Sequence, residues 1–131
     1  MLIGLDIGTQ KTGIARSVNG LAQAVQKIPT SQLIGFLTQL MAEQTVEQIV
    51  IGLPVANNGE PTSQAEYCQI QGEAIRQATG LPVSYEDEYL TTVEAERLLK
   101  EAGFKEPDIK ERLDQVSAEL ILQQYLNRDR G

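Results

Sequence analysis

The chain opens on MLIGLDI, five large apolar residues in seven with an aspartate at position 6. Residues 2–8, 12–17 and 21–28 read as three strands divided by GTQK and VNG, with Gly8-Thr9 and Asn19-Gly20 as turn signals. TSQLIGFLTQLMAEQ then switches to helical spacing, with Leu33, Leu37, Leu40 and Met41 on one stripe and Thr30 or Ser31 as N-cap. VEQIVIGLP is a short β-branched run ended by Gly-Leu-Pro, which predicts a buried strand over about 47–52, followed by a VANNGEP loop. From Thr62 to Thr79 the period is helical again, with a narrow stripe of Ala65, Cys68, Gly72 and Ile75 and a closing Gly80. LPVSYEDE reads as a strand running into charge. TTVEAERLLKEAG reads as a helix with a Thr91–Glu94 capping box and a terminal Gly103. FKEPDIKER reads as a polar loop, and LDQVSAELILQQYL as the last helix.

This β-β-β-α-β-α-β-α-α order predicts an α/β fold. A three-strand antiparallel meander followed by alternating α/β units gives a mixed sheet with helices on both faces, the ribonuclease-H-like arrangement. A Rossmann or flavodoxin-like order would need a helix after the first strand, and none is visible. The length of 131 residues predicts one domain over 1–131 with a core of its own.

Three carboxylates stand in awkward places. Alternation puts Asp6 on one strand face with Leu2, Gly4 and Gly8, and Ile3, Leu5 and Ile7 on the other. A lone charge there is costly to bury, and the two glycines leave room for an approaching group. The alternative is an aspartate that caps the turn through Thr9 or Lys11. Glu88 ends the last strand, at the sheet edge where functional groups gather in open α/β folds. Alternatively Glu86, Asp87 and Glu88 form a solvated acidic turn. Asp114 has Ala118, Ile121, Leu122 and Tyr125 at i+4, i+7, i+8 and i+11, on or beside an apolar helical stripe. It also suits the N-cap of a helix starting at Gln115.

Composition narrows the chemistry. There is no histidine, which removes most zinc sites and triads, and one cysteine, Cys68, which fits a reducing cytosol and a core position. No 18-residue apolar run or signal-peptide pattern is present, so the expected location is cytoplasmic with no membrane partner. Carboxylates converging from a first strand, a strand end and a last helix make an all-oxygen site suited to Mg²⁺ or Mn²⁺. Two such ions support phosphodiester hydrolysis and lessen the need for a general base. In that reading Asp6 bridges, and Glu88 and Asp114 flank it.

The blocks IGLDIGTQKTGIARS, IVIGLP with its Asn-Gly turn, VSYEDEYLTTVEA and LDQVSAELILQQYL together resemble the YqgF family. These are small ribonuclease-H-like proteins named as pre-16S rRNA nucleases and related to the RuvC Holliday-junction resolvases. The match spans essentially the whole chain. The resemblance implies catalytic and metal-binding roles for Asp6, Glu88 and Asp114, a basic position at Lys11, and a Thr91-Thr92 pair opening a helix. It implies a metal-dependent nuclease with pre-rRNA as the favoured partner and branched DNA as the alternative, acting as a monomer or weak homodimer. The sequence departs from the family pattern at Gln10, Val18 and Ser117-Ala118.

The net charge of −7 and pI of about 4.6 run against nonspecific nucleic-acid binding, which usually goes with a pI above about 9. The cations are clustered, however: Arg97, Lys100, Lys105, Lys110 and Arg112 precede Asp114, and with Lys11 they form a candidate phosphate-binding rim. Interspersed glutamates at 96, 101, 106 and 111 leave open a merely solvated charged face. GLDIGTQ is also similar to the phosphate turn of sugar kinases and actin-like proteins, which need a second lobe. A non-catalytic binding module of the same fold is the other rival.

Overall fold

The computed structural model describes residues 1–56, 58, 60 and 62–129; of residues 89–94, 114, 115 and 129 it describes the backbone alone. Among the described residues, five strands and four helices follow the expected order: β1 (Leu2–Ile7), β2 (Lys11–Val18), β3 (Leu21–Pro29), α1 (Leu33–Glu43), β4 (Gln48–Leu53), α2 (Ser63–Thr79), β5 (Val83–Asp87), α3 (Glu88–Glu101) and α4 (Glu106–Asp129). The sheet order is β3-β2-β1-β4-β5. The first three strands pair antiparallel, whereas β1–β4 and β4–β5 are parallel. The carboxyl ends of β1, β4 and β5 therefore lie along one edge, the edge that carries Asp6 and Glu88.

The β2–β3 turn uses Asn19 and Gly20, both at positive φ (53° and 82°), which is the backbone a two-residue hairpin turn requires. Ile3, Leu5 and Ile7 pack on one sheet face with Leu33, Leu37, Cys68 and Ile75, under α1 and α2. Ala118, Ile121 and Leu122 of α4 cover the other face with Ala15, Ala22 and Val50. The α2 stripe is buried at all four expected positions, Ala65, Cys68, Gly72 and Ile75. Thr62 caps that helix by accepting from the Ala65 amide at 3.1 Å, and Gly80 closes it at φ 75°.

Several sequence expectations are corrected. FKEPDIKER is not a loop: α4 begins at Glu106, with Pro107 in the first turn, where a missing amide hydrogen costs nothing, and with Ile109 buried. Asp114 is therefore eight residues inside the helix and is not its N-cap. The helix after β5 starts at Glu88, not at Thr91, so the expected capping box falls within α3; the side chains of Thr91, Thr92 and Glu94 lie outside the described residues. Neither Thr30 nor Ser31 caps α1; both belong to a 3-10 turn before it, and the Thr30 hydroxyl instead donates to the Gly8 carbonyl at 2.7 Å. Glu86 is not a solvated turn residue but is 1% exposed. Among the described residues, no helix is long and apolar enough to cross a membrane.

Candidate active site

Asp6 sits near the carboxyl end of β1 on the α4 side of the sheet, as alternation predicts. The room expected of its flanking glycines has other uses. A Cβ on Gly4 would stand 2.7 Å from Leu122 Cβ, so Gly4 admits α4 itself. A Cβ on Gly8 would stand 2.7 Å from the Lys11 carbonyl oxygen, so Gly8 serves the hairpin turn. That turn is held by the Gly8 amide donating to the Lys11 carbonyl at 2.9 Å and by Thr30. From below, the Cys68 thiol donates to the Ile7 carbonyl at 3.6 Å, and Gln64 Nε2 to the same oxygen at 3.4 Å.

Two glycines that the sequence reading passed over make the site. Gly13 pairs with Asp6 across β1–β2. Its ideal Cβ would meet Asp6 Cβ at 3.8 Å and Ala118 Cβ at 3.7 Å, so the surface beside the carboxylate stays low. Gly52 lies on β4 after Ile51, which pairs with Leu5, and so comes level with Asp6. A Cβ on Gly52 would stand 2.7 Å from Glu88 Oε1 and 2.8 Å from Glu88 Cγ. Glu88, from the far side of β4, folds over this bare backbone and hydrogen-bonds Asp6.

Burial raises the Glu88 carboxyl most, then its hydrogen bond to Asp6, then the charge of Asp6, and together they push it up to about 9. Glu88 thus keeps its proton at neutral pH. Burial first, then the charges of Glu88 and Asp6, push the Cys68 thiol up to about 11. A thiol held protonated in the core is packing, not a nucleophile.

Asp114 lies on α4 in the turn between Glu111 and Ala118, both of which line a cavity over Gly13. Its side chain lies outside the described residues. Among the described residues, no three metal-ligating side chains come together, so the pair Asp6–Glu88 is what the structure brings into contact. The pair fits a hard divalent cation. It offers oxygen donors only, and no Lys or Arg among the described residues forms an ion pair with it.

The basic candidates divide. Lys11 opens β2 and is exposed on the sheet face that carries Asp6. Arg97 pairs with Glu101 at 2.8 Å, and Lys100 with Glu106 at 3.2 Å and Glu96 at 3.7 Å, so glutamates engage these two cations. Arg112 stacks on the Phe104 ring at 4.6 Å and lines an apolar groove between α3 and α4. Lys105 and Lys110 are exposed.

Residues 1–128 match the family described as "RuvX: Holliday junction resolvase". The chain belongs to this family. A Chloroflexus aggregans protein is 36% identical over 99% of this chain and 95% of its own length, and a Streptococcus mutans protein is 39% identical over 97% of each. Both carry the name "Putative pre-16S rRNA nuclease". The family resemblance of the four sequence blocks is thereby borne out. A T. thermophilus RuvC, solved in complex with a Holliday junction substrate, superposes with a TM-score of 0.61, covering 99% of this chain and 95% of that one at 13% identity. This likeness establishes the ribonuclease-H-like fold for the RuvX chain.

Proposed function

We propose that this chain is a divalent-metal-dependent nuclease, a single-domain hydrolase of phosphodiester bonds that acts in the cytoplasm on the 5′ region of pre-16S rRNA. The observation that carries the reading is the Asp6–Glu88 contact over Gly52. Family membership and the relatives' names support the reaction class. Asp6, Glu88 and Asp114 would hold Mg²⁺ or Mn²⁺, which when bound supplies charge neutralisation at the scissile phosphate and activation of water. The chain's own residues do the rest. Asp6 is fixed by the β1 ladder and by the turn pinned at Gly8. Glu88 is placed over Gly52 by the strand-to-helix junction, and the low surface at Gly13 leaves room for a phosphate beside Asp6. Lys11, with Lys105, Lys110 and Arg112, and to a lesser degree the glutamate-paired Arg97 and Lys100, would contact flanking phosphates. The protein would act as a monomer or weak homodimer.

Cleavage of branched DNA is the second reading, favoured by the family's description. The test is cleavage of labelled single-stranded RNA, duplex RNA and a four-way DNA junction with Mg²⁺ or Mn²⁺, beside Asp6→Asn and Asp114→Asn. Metal-dependent cutting lost in both variants supports the nuclease, and the preferred substrate decides RNA against DNA. No cutting by the wild type, or equal cutting by the variants, replaces it with a non-catalytic binding module.

A further inference from the structure

The strand register lays one row across the sheet on the α4 side. Lys27 on β3 pairs with Gly13 on β2, which pairs with Asp6 on β1. Lys11 lies on the same face two residues from Gly13 and is the diagonal neighbour of Lys27, at a backbone separation of about 7–8 Å. Between β2, β3 and α4 a cavity of about 350 Å³ opens, lined by Gly13, Ala24, Lys27, Glu111 and Ala118 among others. Its Gly13 floor borders Asp6. Lys27 is exposed and makes no ion pair with any described residue. Arg97 and Lys100, by contrast, are held by glutamates.

We infer that this cavity is a backbone-phosphate subsite beside the acidic pair, with Lys27 its principal cation and Lys11 its second. The inference rests on the nuclease reading and adds a substrate-binding residue to it. Several features agree. A lysine one strand beyond Gly13 reaches a phosphate displaced from Asp6 by one strand pair. Side-chain bulk is missing where the nucleic acid must cross, at Gly13. Glu111 on the opposite wall disfavours a dianion but tolerates the single charge of a phosphodiester next to two ammonium groups. Because Lys27 touches backbone only, the subsite takes RNA or DNA without reading sequence.

Equilibrium binding by fluorescence anisotropy in EDTA, where nothing is cut, tests this. The full chain is titrated into a labelled RNA duplex and a labelled four-way DNA junction over a range of KCl. Lys27→Gln should raise Kd about three- to fivefold at low salt, in line with one exposed charge contact. It should flatten the slope of log K against log salt by about 0.7–0.9. Lys27→Arg should stay close to wild type, and thermal midpoints should be unchanged. An effect on one nucleic acid alone, while the wild type binds both, overturns a contact made to the shared phosphate backbone. Wild-type affinity and slope in Lys27→Gln, while the wild type binds and cuts, overturn the subsite and leave the nuclease standing. Equal loss in Lys27→Arg and Lys27→Gln also overturns it, because it points to packing of the aliphatic stem. If the wild type binds neither nucleic acid in EDTA, the subsite is overturned, whereas the nuclease reading is decided by metal-dependent cleavage.

Discussion

Glu88 hydrogen-bonds Asp6 although β4 stands between their strands. Two strand spacings of about 4.8 Å each separate β1 from β5, a span that glutamate bridges only by lying across the intervening backbone. Gly52 is that backbone. In Gly52→Ala the new methyl would clash first with Ile121 Cδ1 and then stand 2.7 Å from Glu88 Oε1. The expected cost is about 1–3 kcal/mol of stability from overpacking. Cleavage should fall by about 100-fold through the misplaced carboxylate. Chemical denaturation and single-turnover rates measure the two separately; a stable variant with full activity would show that Glu88 need not lie over β4.

The proton held by Glu88 makes stability depend on pH. A glutamate in the unfolded chain titrates near about 4.3, whereas Glu88 in the fold is pushed up to about 9. The folded metal-free protein keeps a proton that the unfolded chain loses. This contribution is fully present below the unfolded value and is lost as pH rises through the folded one. Thermal midpoints in EDTA should therefore fall from about pH 5 to about pH 9. In Glu88→Gln, which cannot ionise, that part of the fall should vanish. Parallel pH curves for the two proteins would contradict the assignment.

Glu86, in the same row as Gly52, is buried beneath α4 and bound by Arg128 and by Gln124 Nε2 at 2.6 Å. Removing Arg128 leaves a buried carboxylate with one neutral donor among the contacts described. Arg128→Met should cost about 2 kcal/mol, less than for a fully buried pair because Arg128 is exposed. Glu86→Gln in the same chain should recover part of this. A double-mutant cycle in urea checks it, and additive losses would mean that the pair is not coupled.

Thr30 holds the turn that carries Lys11. Its hydroxyl donates to the Gly8 carbonyl at 2.7 Å and meets the hydroxyl of the fully buried Thr12 at 2.9 Å. Thr30→Val leaves both groups short of a partner, and about 1–3 kcal/mol of destabilisation is expected in denaturant melts. Hydrogen exchange at the Gly8 amide should quicken with it; unchanged protection would place the turn's stability elsewhere.

The sequence made the sheet legible because its strands are short runs set off by turns at Gly8 and Asn19-Gly20 and, for β4, by a β-branched apolar stretch ended by Gly-Leu-Pro. Asp6 was legible as a charge in a strand whose neighbours are buried, and Glu88 as a carboxylate where the last strand ends. The start of α4 was not, because over Glu106–Arg112 only Ile109 is buried and a single apolar residue carries no period. The burial of Glu86 was equally hidden, since its partners arrive from 38 and 42 residues along the chain. Gly13 and Gly52 looked like ordinary strand glycines. Only the register, which places them beside Asp6 and beneath Glu88, gives them a task.

The proposed function makes Asp6, Glu88 and Asp114 one metal-dependent unit. It is tested most directly by the rate of cleavage of the preferred nucleic acid as a function of Mn²⁺ concentration, for wild type, Asp6→Asn, Glu88→Gln and Asp114→Asn. Saturable metal dependence is expected in the wild type, with a loss of at least about 100-fold in each variant at every Mn²⁺ concentration and folded proteins throughout. Metal-independent cutting, or a variant among the three that cuts at the wild-type rate, would contradict it.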